Sequence, residues 1–72
     1  MSNDDETLKK HSVVIAGHQT SVTLEDIFWV ELKSIAEKEQ KSLKALITQI
    51  DEKRTTNLSS AIRVFVMKHL KA

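Results

Sequence analysis

The 72-residue chain contains no cysteine, no proline and only one glycine. Without cysteine it can form neither a disulfide nor a thiolate metal site, and nothing marks it as secreted. One glycine is too few for a glycine-rich phosphate loop. No apolar run approaches the roughly 18 residues that would span a bilayer, and the acidic start does not fit a signal peptide. We therefore expect a cytoplasmic protein with no membrane partner.

Residues typical of catalytic and metal sites are also sparse. His11, His18 and His69 are scattered along the chain, and no two of them have the spacing of metal ligands on one helix. The chain has no G-x-S-x-G turn, and three packed helices of this size leave little room for a substrate pocket. We expect no enzymatic activity, no metal and no cofactor.

The charge is unevenly distributed. Three of the ten acidic residues lie in the first six positions, so the remainder carries 11 basic and seven acidic residues, a net charge of +4. This mildly basic balance permits binding to nucleic acid without requiring it. Residues 1–8 have no hydrophobic periodicity and are expected to form a disordered acidic tail, and residues 9–72 one domain. Because so short a chain buries a small core, oligomerisation is the remaining source of burial.

A short strand is predicted at about residues 18–24. Alternation places Thr20, Val22 and Leu24 on one face, which can pack on helices. The other face is polar and consists of Gln19, Ser21 and Thr23.

The segment before this strand is ambiguous. Ser12–Ile15 has strand propensity, and Ala16 and Gly17 interrupt it. Gly17 indicates a bend, a bulge or a turn with positive φ. The two β-prone pieces form either one kinked strand or an ordered arm that leads into the strand, and the pattern leaves both open.

Three amphipathic helices are predicted, at about residues 24–39, 42–53 and 57–71. Thr23, Ser42 and Asn57 are candidate N-caps for them. Around the first helix, Ile27, Val30 and Trp29 widen the apolar arc beyond the stripe that a monomer buries. This excess favours a partner subunit.

Several segments together carry a family resemblance: G-H-Q-T-S-V-T-L-E, then D-I-F-W-V through K-S-L-K-A-L-I, and N-L-S-S-A-I-R downstream. Residues 9–71 resemble the bacterial ribbon-helix-helix family of DNA-binding repressors, of the Arc and MetJ type, with an extra C-terminal helix. The second family helix is either 42–53 or the 57–71 segment. We prefer the first, because a loop of more than about 15 residues is uncommon in a compact domain.

The resemblance implies a mainly α fold with one short strand. It further implies an intertwined homodimer, in which the strand of each subunit pairs antiparallel with its twin to form a two-stranded intersubunit ribbon. The residues expected in the dimer core are Val22, Leu24, Phe28, Trp29, Leu32, Leu46 and Ile47.

The resemblance also implies a site on double-stranded DNA. Gln19, Ser21 and Thr23 would contact bases in the major groove, where glutamine can bind adenine through two hydrogen bonds. A phosphate would lie at the start of the second helix, where free amides and the helix dipole favour an anion. The residues expected there are Lys41, Ser42, Leu43 and Lys44. His18 either hydrogen-bonds locally or contacts phosphate.

The predicted function is therefore a sequence-specific transcriptional regulator of the repressor type. One alternative is the antitoxin of a toxin–antitoxin pair, which would bind a second small protein. The other is a dimeric protein-interaction module with an unknown partner, which would show no salt-dependent affinity for DNA.

Overall fold

A computed structural model describes residues 7–71, in which two strands precede three helices. The elements are β1 (Leu8–Ile15), β2 (His18–Glu25), α1 (Asp26–Lys38), α2 (Leu43–Lys53) and α3 (Leu58–Lys71). The three predicted helices are confirmed, and α2 follows α1 directly. Most of the predicted acidic tail, residues 1–6, lies outside the described residues. Within residues 7–71, no helix combines the length and apolarity needed to cross a membrane.

The prediction of a single strand is wrong, because β1 and β2 form an antiparallel hairpin within the chain. Pairing runs from Leu8 opposite Glu25 to Ile15 opposite His18. Ala16 and Gly17 form the turn, with φ values of 52° and 82°. Two successive positive φ values are the signature of a type I′ turn, whose twist matches that of the paired strands. The segment before the turn is thus neither an arm nor part of a kinked strand.

The hairpin also begins earlier than the predicted domain boundary at residue 9. Leu8 is the first residue of β1. Beyond it, the Thr7 carbonyl accepts a hydrogen bond of 2.9 Å from the amide of Asp26. Thr7 and Leu8, which were assigned to the tail, therefore belong to the folded domain.

The core lies between the inner face of the hairpin and the three helices. Its members are Ile15, Val22, Leu24, Leu32, Ile35, Ala36, Leu46, Ile47, Ile50, Ile62 and Val66. Five of the seven residues expected in the dimer core are therefore buried inside one chain. The other two, Phe28 and Trp29, pack against this core and are partly buried. Burial of these residues requires no second subunit, because β1 and α3 supply the missing cover.

A ring stack joins β1 to α1. The His11 imidazole lies on the Trp29 indole with ring centroids 3.8 Å apart and planes inclined by 8°. The Nε2 atom of His11 is buried and has no hydrogen-bond partner. The stack accounts for the partial burial of Trp29 and leaves one unsatisfied polar atom beneath the sheet.

The start of α1 differs from its prediction. Thr23 does not cap this helix, because β2 continues through Glu25 and Thr23 pairs with Lys10. The N-cap residue is Glu25, and its side chain makes no capping hydrogen bond. Pairing with the early part of β1 thus outweighs the local capping signal.

The end of α1 is a Schellman motif. Gln40 has φ of 56°, its amide donates to the Glu37 carbonyl at 3.1 Å, and the Lys41 amide donates to the Ala36 carbonyl at 2.9 Å. This pair of bonds satisfies carbonyls that the helix end would otherwise leave free. The tight junction lets α2 begin immediately afterwards.

The predicted caps of α2 and α3 are confirmed. Ser42 Oγ accepts a hydrogen bond of 3.0 Å from the Ala45 amide. Asn57 Oδ1 accepts one of 2.8 Å from the Ser60 amide. Each cap satisfies one amide of the first helical turn, which explains why both helices begin where the sequence indicates.

Side-chain contacts hold α3 against α1 and the residues that flank it. Arg63 Nε donates to Glu25 Oε1 at 2.8 Å, and its guanidinium lies 5.9 Å from the centroid of the Phe28 ring. The hydrogen bond from Arg63 lowers the pKa of the Glu25 carboxyl below its ordinary value. At the other end of α1, His69 Nε2 lies 3.0 Å from Glu39 Oε2. The ion pair of Arg63 therefore lies within one chain.

Candidate nucleic-acid interface

The hairpin presents one polar face to solvent, on the side opposite the helices. We call this surface the outer face. Its exposed members are Leu8, Lys10, Ser12, Val14, Gln19, Ser21 and Thr23, and the half-buried Glu25 lies opposite Leu8 at its end. The three predicted base-contacting residues therefore lie together on one surface, since alternate residues of a strand point to the same side.

The half of the outer face that β1 contributes was not predicted from the sequence. Lys10 lies opposite Thr23, and Ser12 lies opposite Ser21. The signal was present as alternation along β1, in which Val13 and Ile15 point inward, but the pairing register is needed to place these residues. Lys10 matters most, because it puts a cation on a surface whose predicted members are all uncharged.

The backbone of β2 has one open edge. The Asp26 amide donates to the Thr7 carbonyl, so Thr7 and Asp26 form a hydrogen-bonded pair of the ladder. Along an antiparallel ladder such pairs alternate with pairs whose backbone groups do not bond to each other. The amides and carbonyls of Gln19, Ser21 and Thr23 therefore point away from β1. Within the described part of the chain the sheet contains β1 and β2 alone, so this edge is unpaired there.

The predicted phosphate site at the start of α2 retains free donors. The Ser42 side chain occupies the Ala45 amide, while the amides of Leu43 and Lys44 lie in the first turn, where a helix offers no acceptor. Lys44 is exposed and Leu43 is half-buried. The geometry suits an anion at this helix end.

Lys41 is less available than the sequence indicated. Its Nζ lies 3.4 Å from Glu39 Oε1 and donates to Gln49 Oε1 at 2.7 Å. Hydrogen bonds from His69 first, and then from Lys41, lower the pKa of the Glu39 carboxyl. A phosphate at this end of α2 would compete with that carboxylate for the Lys41 ammonium.

His18 does not join the phosphate site. It follows the hairpin turn, opposite Ile15, and borders a small cavity together with Asp51 and Arg54, near the C-terminal end of α2. Ser42 is at the other end of α2, whose 11 residues make a helix about 16 Å long. The predicted phosphate contacts thus fall at opposite ends of this helix.

No metal site accompanies these residues. Within residues 7–71, no group of three or more His, Cys, Asp or Glu side chains is placed to hold an ion.

Comparisons with known proteins agree with this fold. Residues 8–70 match the family model described as a ribbon-helix-helix domain, so the chain belongs to the ribbon-helix-helix domain family. Members of this family are typically DNA-binding transcription regulators or antitoxins, and they act as dimers. They are regulatory DNA-binding modules rather than enzymes.

Among solved structures, the fold is similar to that of an uncharacterized protein from Bordetella pertussis Tohama I. The TM-score is 0.82 with 24% sequence identity, and the match covers 97% of this chain and 61% of that chain. At this identity the likeness shows the fold alone, and the chain spans less than two thirds of the length of that neighbour. No curated protein matches the chain.

Proposed function

We propose that the protein is a sequence-specific DNA-binding transcriptional regulator that occupies an operator-like site as a homodimer. The observation that carries this proposal is the composition of the outer face. Its seven exposed residues comprise four hydrogen-bonding side chains, one cation and two apolar residues, and the one carboxylate at its end, Glu25, is paired with Arg63. A surface without an unpaired carboxylate can approach the DNA phosphates closely, and its polar groups can then bind base edges.

The dimer follows from the open edge of β2. Pairing of this edge with its twin would give a sheet of four strands in which the two copies of β2 are central. On the side of α1 turned away from the core, Ile27 and Val30 are 47% and 60% exposed, so this side offers apolar surface to a second subunit. The paired β2 strands would form the intersubunit ribbon, with β1 flanking it on either side.

The major groove, about 12 Å wide, admits a two-stranded ribbon. The two β2 strands would enter it and bring Gln19, Ser21 and Thr23 of both subunits to the base edges. Gln19 suits adenine, and the hydroxyls of Ser21 and Thr23 suit several bases. Lys10, one strand further out by about 4.8 Å, would face the phosphates along the groove wall. The α2 N-terminus supplies a further phosphate contact.

Selection from a random-sequence duplex library at near-physiological salt tests this proposal. The wild type should enrich a shared motif, and a Gln19→Ala, Ser21→Ala, Thr23→Ala variant should fold but enrich none. A charge-matched control carries Thr55→Ala, Thr56→Ala and Ser60→Ala and should enrich the wild-type motif.

Two outcomes would overturn the proposal. If the strand variant enriched the same motif as the wild type, base reading by β2 would be wrong. If no protein enriched a motif and none showed salt-dependent affinity for DNA, the dimer would be a protein-interaction module instead.

A further inference from the structure

We propose that the cleft between α2 and α3 binds a small amphipathic carboxylate, a molecule with one carboxylate group on a flat apolar body. The cleft has a volume of 390 Å³ and is bounded by the two helices and the loop that joins them. Ligand pockets typically enclose about 300–1,000 Å³, so the cleft has room for a compact organic molecule. This inference is independent of the proposed function.

The floor of the cleft is apolar. Ile50 is buried, and Ala61 and Phe65 are half-buried against the core. An apolar body placed here would remove the exposed parts of these side chains from water, which is favourable in proportion to the area covered. The Phe65 ring adds a planar surface that suits an aromatic or similarly flat ligand.

The rim of the cleft is cationic. Lys53 and Lys68 line it, are exposed, and make no ion pair within residues 7–71. None of the ten residues that line the cleft is acidic. The two lysines therefore leave positive charge at the rim that a bound anion would balance.

Arg54 completes the rim in a fixed orientation. Its Nε donates to Asp51 Oδ1 at 2.7 Å, and its Nη1 donates to the Thr56 carbonyl at 2.8 Å. These bonds hold the guanidinium in place and leave Nη2 as a positioned donor. A planar guanidinium with restricted motion matches a carboxylate well.

The floor and the rim together select the ligand class. An inorganic anion would satisfy the rim and leave the floor exposed to water. An uncharged apolar molecule would cover the floor and leave the charges of Lys53 and Lys68 unbalanced. A carboxylate with an apolar body satisfies both. The cleft lies on the helical side of the hairpin, so an occupant leaves the outer face open.

Titration of the ¹⁵N-labelled full chain with 3-phenylpropionate, followed by amide NMR, tests the inference. Saturable shifts are expected at Lys53, Ala61 and Phe65. Two probes separate the parts of the ligand: 3-phenylpropionamide keeps the body without the charge, and acetate keeps the charge without the body. Each should bind at least about tenfold more weakly, because each lacks one set of contacts.

A pair of double variants tests the role of the rim. Lys53→Gln with Lys68→Gln should weaken 3-phenylpropionate binding at least about tenfold. Lys33→Gln with Lys38→Gln removes the same charge from α1 and should leave binding unchanged.

Several results would overturn the inference. Equal binding of acetate would reduce the site to a simple anion site, and equal binding of the amide would reduce it to an apolar cleft. Equal weakening by both double variants, or shifts without saturation, would show unspecific attraction.

Discussion

The turn of the hairpin provides the sharpest test of the intrachain pairing. Ala16 and Gly17 have φ values of 52° and 82°. A side chain with a Cβ loses about 1–2 kcal/mol in this left-handed region, whereas asparagine is tolerated there and Asn-Gly is the preferred type I′ pair. We therefore expect Ala16→Asn to raise the free energy of unfolding by about 0.5–1 kcal/mol.

Substitution of the neighbouring Gly17 should lower the free energy of unfolding instead. A Cβ added to Gly17 would meet no atom within 4 Å, so Gly17→Ala introduces backbone strain without a clash. We expect it to lower the free energy of unfolding by about 1 kcal/mol. For a domain of this size, 1 kcal/mol corresponds to a change in Tm of about 4–8 °C.

The assay is urea and thermal unfolding at one fixed protein concentration, because the proposed dimer would make Tm depend on concentration. Circular dichroism and the fluorescence of the sole tryptophan, Trp29, report the transition. Thr55→Asn, in the exposed loop before α3, controls for asparagine itself. If neither turn variant differed from the control, β1 and β2 would not be joined by this turn, and the intrachain hairpin would be wrong.

Three further predictions concern single contacts. His11→Phe keeps a ring on Trp29 and removes the unpaired buried Nε2. Urea unfolding should therefore show a free energy of unfolding about 1 kcal/mol higher than that of the wild type. If His11→Phe instead lowered it as much as His11→Ala does, this prediction would be wrong. The Glu25 carboxyl has a pKa below its ordinary 4.5 because of Arg63. Its contribution to stability is therefore present above pH 4.5 and is lost as the pH falls through the lowered pKa. The free energies of unfolding of the wild type and Glu25→Gln should differ near neutral pH and converge in acid. A difference that does not change with pH would show that the Glu25 charge is not its cause. Gln40→Gly relieves a φ of 56° at the end of α1 and should raise the free energy of unfolding by up to about 1 kcal/mol in thermal denaturation; a loss would show that the Gln40 side chain stabilises the junction.

Local signals in the sequence predicted the helices well. Ser42 and Asn57 are followed by apolar residues at helical spacing, and both caps form within three residues. The start of α1 was misplaced because Thr23 also looks like a cap. Its true environment depends on Lys10, 13 positions earlier, through strand pairing. The start of α1 is therefore set by strand pairing with a distant segment, which local propensity does not reveal.

The hairpin was missed for a related reason. The polar residues Lys9, Lys10 and His11 hide the strand character of β1, and its turn is Ala-Gly rather than Asn-Gly. Only the register shows that His11 points inward to Trp29 while Lys10 points outward.

The candidate interface was predicted in part. Alternation alone placed Gln19, Ser21 and Thr23 on one face, because a strand has a fixed period of two. The contribution of Lys10 required the register. The engagement of Lys41 with Glu39 and Gln49, and the separation of His18 from the start of α2, required the packing of the helices. Contacts between distant segments are not encoded in a local pattern.

DNA binding by the outer face is tested most directly by amide NMR mapping of the ¹⁵N-labelled protein with the duplex that the wild type enriches. If β2 binds the base edges, the largest shifts should fall on Gln19, Ser21 and Thr23, with smaller shifts at Lys10 and at Lys44. A scrambled duplex of the same composition should leave the β2 signals nearly unchanged at the same salt concentration. Shifts confined to α3, with the outer face unaffected, would contradict DNA binding by β2 and place the DNA elsewhere on the protein.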